Sequence, residues 1–103
     1  MNSLSSKTIN QQFFNGYIIS LSGFSVQEKL IMKGMIEECG GMCTDDMNSS
    51  TITFLIAKAL SSEKARCALR WGVPVLNFQW LFDCLKEGRV ISINKYVLNT
   101  FSY

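Results

Sequence analysis

The hydrophobic pattern becomes orderly near Phe13. Residues 1–11 carry no periodicity and read as a flexible lead-in, in the manner of a linker from a longer parent chain. Tyr17-Ile18-Ile19-Ser20-Leu21 is a β-rich run without alternation, which predicts a strand buried on both faces and halted by Ser22-Gly23. Ser25-Val26-Gln27-Glu28 has the spacing of a capping box and predicts a helix over roughly 26–39. Val26, Leu30, Ile31 and Met35 recur at helical spacing and are the expected buried stripe, Gly34 is expected to admit a neighbouring element, and Gly40-Gly41 supplies a left-handed stop.

Met42-Cys43-Thr44 predicts a brief second strand, and the Asp, Asn and Ser residues from Asp45 to Ser50 predict a turn. Thr51 to Ala57 is rich in β-branched and aromatic residues and too short for a helix, so it reads as a third strand. Ser61-Ser62-Glu63-Lys64 opens a short helix through Ala65, Cys67, Ala68 and Leu69, stopped by Gly72. Val73-Pro74-Val75-Leu76 predicts a fourth strand with its proline at the first position or at an edge. Asn77 is expected to cap a last helix, in which Trp80 with Cys84 and Leu81 with Leu85 form one apolar stripe ending at Gly88. The order βαββαβα predicts an α/β fold with a parallel sheet and helices on both faces.

Composition narrows the function classes. A chain of 103 residues fits one domain, expected over 12–98 with 99–103 as a tail or linker to a following repeat. With 48% apolar and 17% charged residues it is too rich in core-formers to stay disordered. A net charge of +2 is too small for a general polyanion binder, so any anion recognition must be local. Cys39, Cys43, Cys67 and Cys84 include no Cys-x-x-Cys pair and the chain has no histidine, so a zinc site is disfavoured and free thiols are expected. The polar start, Met1 to Gln12, lacks the apolar stretch of a secretory leader, and a reducing compartment is expected. No apolar run approaches the ~18–20 residues of a membrane span.

Parallel α/β sheets bind ligands outside the carboxyl ends of their strands, at loops leading into helix N-termini. Two such junctions occur, Ser22-Gly23-Phe24-Ser25 and Ser61-Ser62-Glu63-Lys64. Lys64 lies in the first turn of its helix, where its charge opposes the macrodipole. As a lone surface lysine it is solubilising; beside a bound anion, it and the helix amides both favour the ligand. Ser22 offers a hydroxyl donor and Gly23 a backbone without a Cβ, although Ser-Gly alone is equally a plain turn. Nucleophile elbows, Walker loops and dinucleotide fingerprints do not occur, and no catalytic residue, cofactor or metal is expected. Asp45-Asp46 could suggest a metal or phosphoacceptor pair, but such acids belong at the end of strand one, so a solvated turn is the reading preferred.

Phe14-Asn15-Gly16 before the first strand, Gly40-Gly41 after the first helix, the Thr53-Phe54-Leu55-Ile56 strand, and Trp80 with Cys84 together resemble a BRCT domain over residues 13 to about 96. The segments Lys64 to Trp71 and Gln79 to Asp83 are most similar to repeats of topoisomerase-II-binding checkpoint scaffolds, and also to those of a cytokinesis Rho exchange factor. Phe54 stands where the family pattern Thr-His-Leu has histidine. The resemblance implies a four-stranded parallel sheet of order 2-1-3-4 flanked by three helices, with the first and third on one face and the second on the other. It implies a phosphoserine- or phosphothreonine-binding module, not an enzyme, of a nuclear DNA-damage checkpoint, replication or repair scaffold. Ser22, Gly23 and Lys64 fall on the family's phosphate-holding positions, Lys29 falls where an Arg often assists, and Trp71 matches an aromatic bordering the peptide groove. The implied partners are a phosphorylated protein segment and neighbouring BRCT repeats, and no membrane. A phosphate-independent structural repeat and a binder of 5′-phosphorylated DNA ends are the other functions the family allows.

Overall fold

The computed structural model describes residues 12–46 and 51–98. The expected lead-in, the end of the Asp45–Ser50 turn and the tail lie wholly or largely outside the described residues. Among the described residues seven elements follow in the order β1 (Ile18–Ser22), α1 (Val26–Glu38), β2 (Met42–Thr44), β3 (Phe54–Ala57), α2 (Glu63–Trp71), β4 (Val75–Asn77) and α3 (Gln79–Glu87). The strands form one sheet in the order β2-β1-β3-β4, with all three neighbouring pairs parallel. Ile19 faces Cys43 on one side and Phe54 on the other, and Leu55 faces Val75.

Alternation along the strands divides the core into two layers. Ile19, Leu21, Ile56 and Leu76 pack with Met32 and Ile36 of α1 and with Trp80, Leu81 and Cys84 of α3. Leu55, Ala57 and Val75 point the other way, against Ala65 and Ala68 of α2. Two alanines let α2 lie close on the sheet, which brings the start of that helix near the end of β1. Phe54 sets its ring between those of Tyr17 (5.7 Å) and Trp80 (5.3 Å).

The helix ends obey the chemistry read from the sequence. Ser25 Oγ accepts from the Glu28 amide (3.1 Å) while Glu28 Oε1 accepts from the Ser25 amide (2.8 Å). At the far end of α1, Gly40 has φ +89°, and the amides of Gly40 and Gly41 donate to the carbonyls of Glu37 and Ile36, a Schellman closure. A Cβ on Gly41 would stand 2.8 Å from Ile36 Cγ2 and 3.0 Å from Phe14 Cβ, so the second glycine is required by packing.

Several expectations need correction. The buried side of α1 is Met32 and Ile36, whereas Val26, Leu30 and Ile31 are 75%, 64% and 59% exposed. Apolar residues occupy more than one face of this helix, and only the position of the sheet decides which face is covered. Gly34 lies on the open side, where a Cβ would meet nothing within 4 Å, so it admits no neighbour. Gly34→Ala is therefore expected to stabilise the domain by about 1 kcal/mol through the helix-propensity difference, read as a rise of roughly 4–8 °C in the thermal midpoint. Finally, β4 begins at Val75 rather than Val73: the Val73 amide closes the end of α2 on the Ala68 carbonyl (2.8 Å), and Pro74 precedes the strand.

The outer edge of β4 is covered by a segment the hydrophobic pattern did not predict. Leu76 and Val97 form an antiparallel bridge, the Asn77 amide donates to the Tyr96 carbonyl (2.8 Å), and the Leu98 amide donates to the Val75 carbonyl (2.7 Å). Tyr96 Oη donates to Asp83 Oδ2 (2.5 Å), and Trp80 Nε1 donates to the Ile91 carbonyl (3.0 Å), tying this segment to α3. The Tyr96 hydroxyl, followed by Gln79, holds the Asp83 carboxyl below its ordinary range, while the same bond raises the Tyr96 phenol. Asn77 serves as the expected cap in modified form: its Oδ1 accepts from the Gln79 amide (2.7 Å), although Phe78 occupies the cap position itself.

Candidate functional site

The carboxyl ends of β1 and β3 and the start of α2 meet at one corner of the sheet. Ser22 is the last residue of β1 and is buried. Its Oγ donates to Ser62 Oγ (2.7 Å), and Ser62 Oγ in turn accepts from the Ala65 amide (3.1 Å) as the cap of α2. Lys64 reaches back from the first turn of α2 so that its Nζ donates to the Leu21 carbonyl (3.2 Å). An ammonium has three donors, and this bond occupies one of them.

Gly23 follows with φ +87°, a region that disfavours residues with a Cβ, and this conformation turns the chain off the sheet. A Cβ there would stand 3.7 Å from Lys58 Cβ, an ordinary contact. The glycine requirement is thus conformational rather than one of space. The Lys58 amide donates to the Ser22 carbonyl (3.4 Å), which places the residue after β3 alongside the same turn.

Of the residues singled out from the sequence, Ser22, Gly23 and Lys64 are brought together. Lys29 flanks them. It pairs with Asp45 across 3.9 Å and lines, with Leu21, Lys33, Cys43 and Thr44, a groove of about 440 Å³ that borders Leu21. Such an exposed pair is weak and leaves the lysine available. Trp71 ends α2 seven residues after Lys64, roughly 10 Å along the axis, and is 43% exposed, so it is a surface tryptophan rather than a core one. Asp46 turns back through its amide to Thr44 Oγ1 (3.1 Å), in keeping with a turn.

Sequence reasoning missed Ser62 and Lys58 as members of the corner. Ser62 has a legible signal, since it is a helix-capping serine beside the lysine, but its contact with Ser22 spans forty positions and is tertiary. Lys58 carries no signal before β3 is placed next to β1.

The corner is donor-rich: two hydroxyls, a lysine ammonium and the first amides of α2 converge on it, a combination suited to a compact oxyanion. Burial pushes the thiols of Cys39, Cys43 and Cys84 up, which disfavours the reactive thiolate at these three positions. All four cysteines are free, and among the described residues no group of three or more metal-ligating side chains occurs. No helix of the described residues is long and apolar enough to cross a membrane.

A parallel sheet in this strand order, with two helices on one face, one on the other, and a hydroxyl and lysine corner at its carboxyl edge, defines a small three-layer α/β domain. Residues 10–85 match the family model of the BRCA1 C Terminus (BRCT) domain, and the chain belongs to that family. Human Protein ECT2 is 29% identical over 66 residues, which is 63% of this chain and 7% of that protein. A BRCT domain-containing protein of Arabidopsis thaliana is 25% identical over 85 residues, 82% of this chain and 6% of the relative. The chain thus spans less than about a tenth of the length of these curated relatives. Among solved structures, Rad4 BRCT1,2 in complex with a Crb2 phosphopeptide superposes with a TM-score of 0.80 at 22% identity, covering 85% of this chain and 49% of that one. The BRCT domain of human DNA repair protein REV1 superposes with a TM-score of 0.73 at 25% identity, covering 91% and 95%.

Proposed function

We propose that this domain is a protein-interaction module that binds a phosphoserine or phosphothreonine segment, with Ser22, Gly23 and Lys64 holding the phosphate. The observation that carries the reading is the tertiary convergence of Ser22 and Lys64 on the end of β1, through Ser62 Oγ and the Leu21 carbonyl. Bound phosphate would accept from the Lys64 ammonium and from the Ser22 or Ser62 hydroxyl, each a charge-assisted bond. Lys29 assists from the flank as a point charge without the bidentate fork of an arginine. Trp71 borders the path of the peptide along α2. The phosphopeptide in the Rad4 complex supports the same ligand class here.

In this reading the module is non-catalytic and needs no cofactor or metal. Its setting is a nuclear checkpoint, replication or repair scaffold, with neighbouring repeats adding avidity to a single-site affinity of about micromolar order. Titrating a matched pair of peptides, phosphorylated and not, tests it. At least tenfold tighter binding of the phosphorylated form is expected. Equal binding of the two would overturn the phosphate reading in favour of a phosphate-independent repeat, and preference for a 5′-phosphorylated duplex would favour a DNA-end binder.

A further inference from the structure

We infer that Lys58 is a further phosphate-holding cation of the corner, docked on the Glu28 carboxylate in the free domain and exchanged onto the phosphate when the peptide binds. The inference rests on the phosphopeptide reading above and adds to it a ligand for the phosphate and an internal competitor for that ligand. A phosphorylated side chain carries about −1.5 to −2 charges at pH 7. Lys64 brings one ammonium to the corner and spends one of its donors on the Leu21 carbonyl, the hydroxyls of Ser22 and Ser62 are neutral, and Lys29 stands on the flank beside Asp45. The charge of the ligand therefore calls for another cation at close range.

Lys58 is rooted at the corner through its backbone. Its amide donates to the Ser22 carbonyl (3.4 Å), and its Cβ lies 3.7 Å from the point where a Cβ on Gly23 would stand. Gly23 has none, so no side chain of that residue stands between the lysine stem and the turn. In the free domain the ammonium is held on the α1 side. Lys58 Nζ is 3.2 Å from Glu28 Oε1, 3.4 Å from Glu28 Oε2 and 5.5 Å from the Phe24 centroid. The stem is flexible, and rotation about its bonds turns the ammonium towards Ser22-Gly23 without moving the backbone.

The exchange favours phosphate because Glu28 does not depend on the lysine. Its Oε1 also accepts from the Ser25 amide (2.8 Å) at the N-terminus of α1, and that amide, ahead of Lys58, holds the carboxyl below its ordinary range. The carboxylate thus stays partnered after the ammonium leaves. Both side chains of the pair are about half exposed, so their attraction is screened and weak. An ammonium bonded to a phosphate of nearly double charge makes a stronger, charge-assisted bond. Glu28 is then a brake on the site, since phosphate must displace it from Lys58.

The test is a double-mutant cycle on Lys58→Met, Glu28→Gln and the protein carrying both. The probes are a peptide pool degenerate around a central phosphoserine and the same pool unphosphorylated, titrated at about 0.15 M salt, where a Debye length of ~8 Å damps remote charges. Methionine keeps the apolar stem, and glutamine still accepts from the Ser25 amide of the capping box, so the variants keep the fold, as thermal melts will check. The readout is the ratio of affinities for the phosphorylated and unphosphorylated pools. Lys58→Met should lower that ratio about fivefold. Glu28→Gln should raise it about threefold in the wild-type background, by freeing the lysine, and by less than about 1.5-fold in the Lys58→Met background. An unchanged ratio in Lys58→Met would overturn the inference and leave the phosphopeptide reading standing. So would a Glu28→Gln gain that is absent from the wild-type background, or one that is equal in both backgrounds and marks Glu28 as a remote repulsive charge. A wild type that binds the two pools equally would overturn the phosphopeptide reading itself.

Discussion

Lys64→Met is expected to weaken binding of a phosphorylated peptide by about 10- to 100-fold while leaving the unphosphorylated peptide at its own low affinity, which collapses the difference between the two. The magnitude is that of a hydrogen bond to a charged group, about 1.5–3 kcal/mol, with tenfold for each 1.4 kcal/mol. Methionine keeps the length and apolar stem of lysine and removes only the ammonium. The bond from Lys64 Nζ to the Leu21 carbonyl (3.2 Å) is lost as well, so the domain should lose about 1 kcal/mol of stability and remain folded. Calorimetric titration of both peptides, with a thermal melt of each protein, separates the two effects. Retained phosphate discrimination in a folded Lys64→Met protein would remove Lys64 from the site. Because the second phosphate ionisation lies near pH 6, the advantage of the phosphorylated peptide should also diminish below about that pH in wild type.

Trp80→Ala should be the most damaging substitution in the core. Trp80 has no solvent exposure, its ring meets those of Phe14 and Phe54 at 5.6 and 5.3 Å, and Nε1 donates to the Ile91 carbonyl (3.0 Å). Truncation of such a residue costs about 3–5 kcal/mol, from lost transfer free energy and the cavity left behind. A domain of this length has a total stability of only about 5–15 kcal/mol, so the variant would lie near or below the folding threshold. Urea titration should show a much lower midpoint than in wild type. Trp80→Phe keeps an aromatic wall and forfeits the indole bond, and should lose markedly less. A small effect of Trp80→Ala would mean that α3 is not packed as described. The indole bond gives the substitution a second reach, because the Ile91 segment leads to Tyr96–Leu98, which covers the edge of β4.

Local chemistry in the sequence was enough to place most of the elements. Ser25-x-x-Glu28, the glycine pair at 40–41, Gly72 and Gly88 mark helix ends through hydrogen bonds between near neighbours, and each one forms as its spacing dictates. Their hydrogen-bond partners lie within five residues, so no knowledge of the fold is needed to place these ends. The third strand is shorter than its β-rich run because Thr53 is tied to β1 by its side chain as well as its backbone: Oγ1 accepts from the Ile18 amide (3.0 Å), and its own amide donates to the Ile18 carbonyl (2.7 Å).

The candidate site was legible in its members and not in its reason. Ser22, Gly23 and Lys64 each stand at a junction that the element order exposes, yet in the sequence a Ser-Gly turn and a lysine in a helix's first turn are ordinary. The resemblance to BRCT domains carried them together, and Ser62 and Lys58 joined them only once β1, β3 and α2 were in place.

What the sequence determined by itself is the set of elements and the glycines that end the helices, and its βαββαβα order pointed to the parallel sheet. These depend on contacts between residues a few positions apart and on the steric rules of the backbone. The tertiary structure decided which face of α1 is covered, that residues 96–98 close the edge of β4, and that Ser22, Ser62 and Lys64 share one corner of the sheet. Those outcomes depend on contacts across some twenty to more than forty positions, as in the Ser22–Ser62 and Lys64–Leu21 bonds, and such contacts are set by how the layers stack rather than by local pattern.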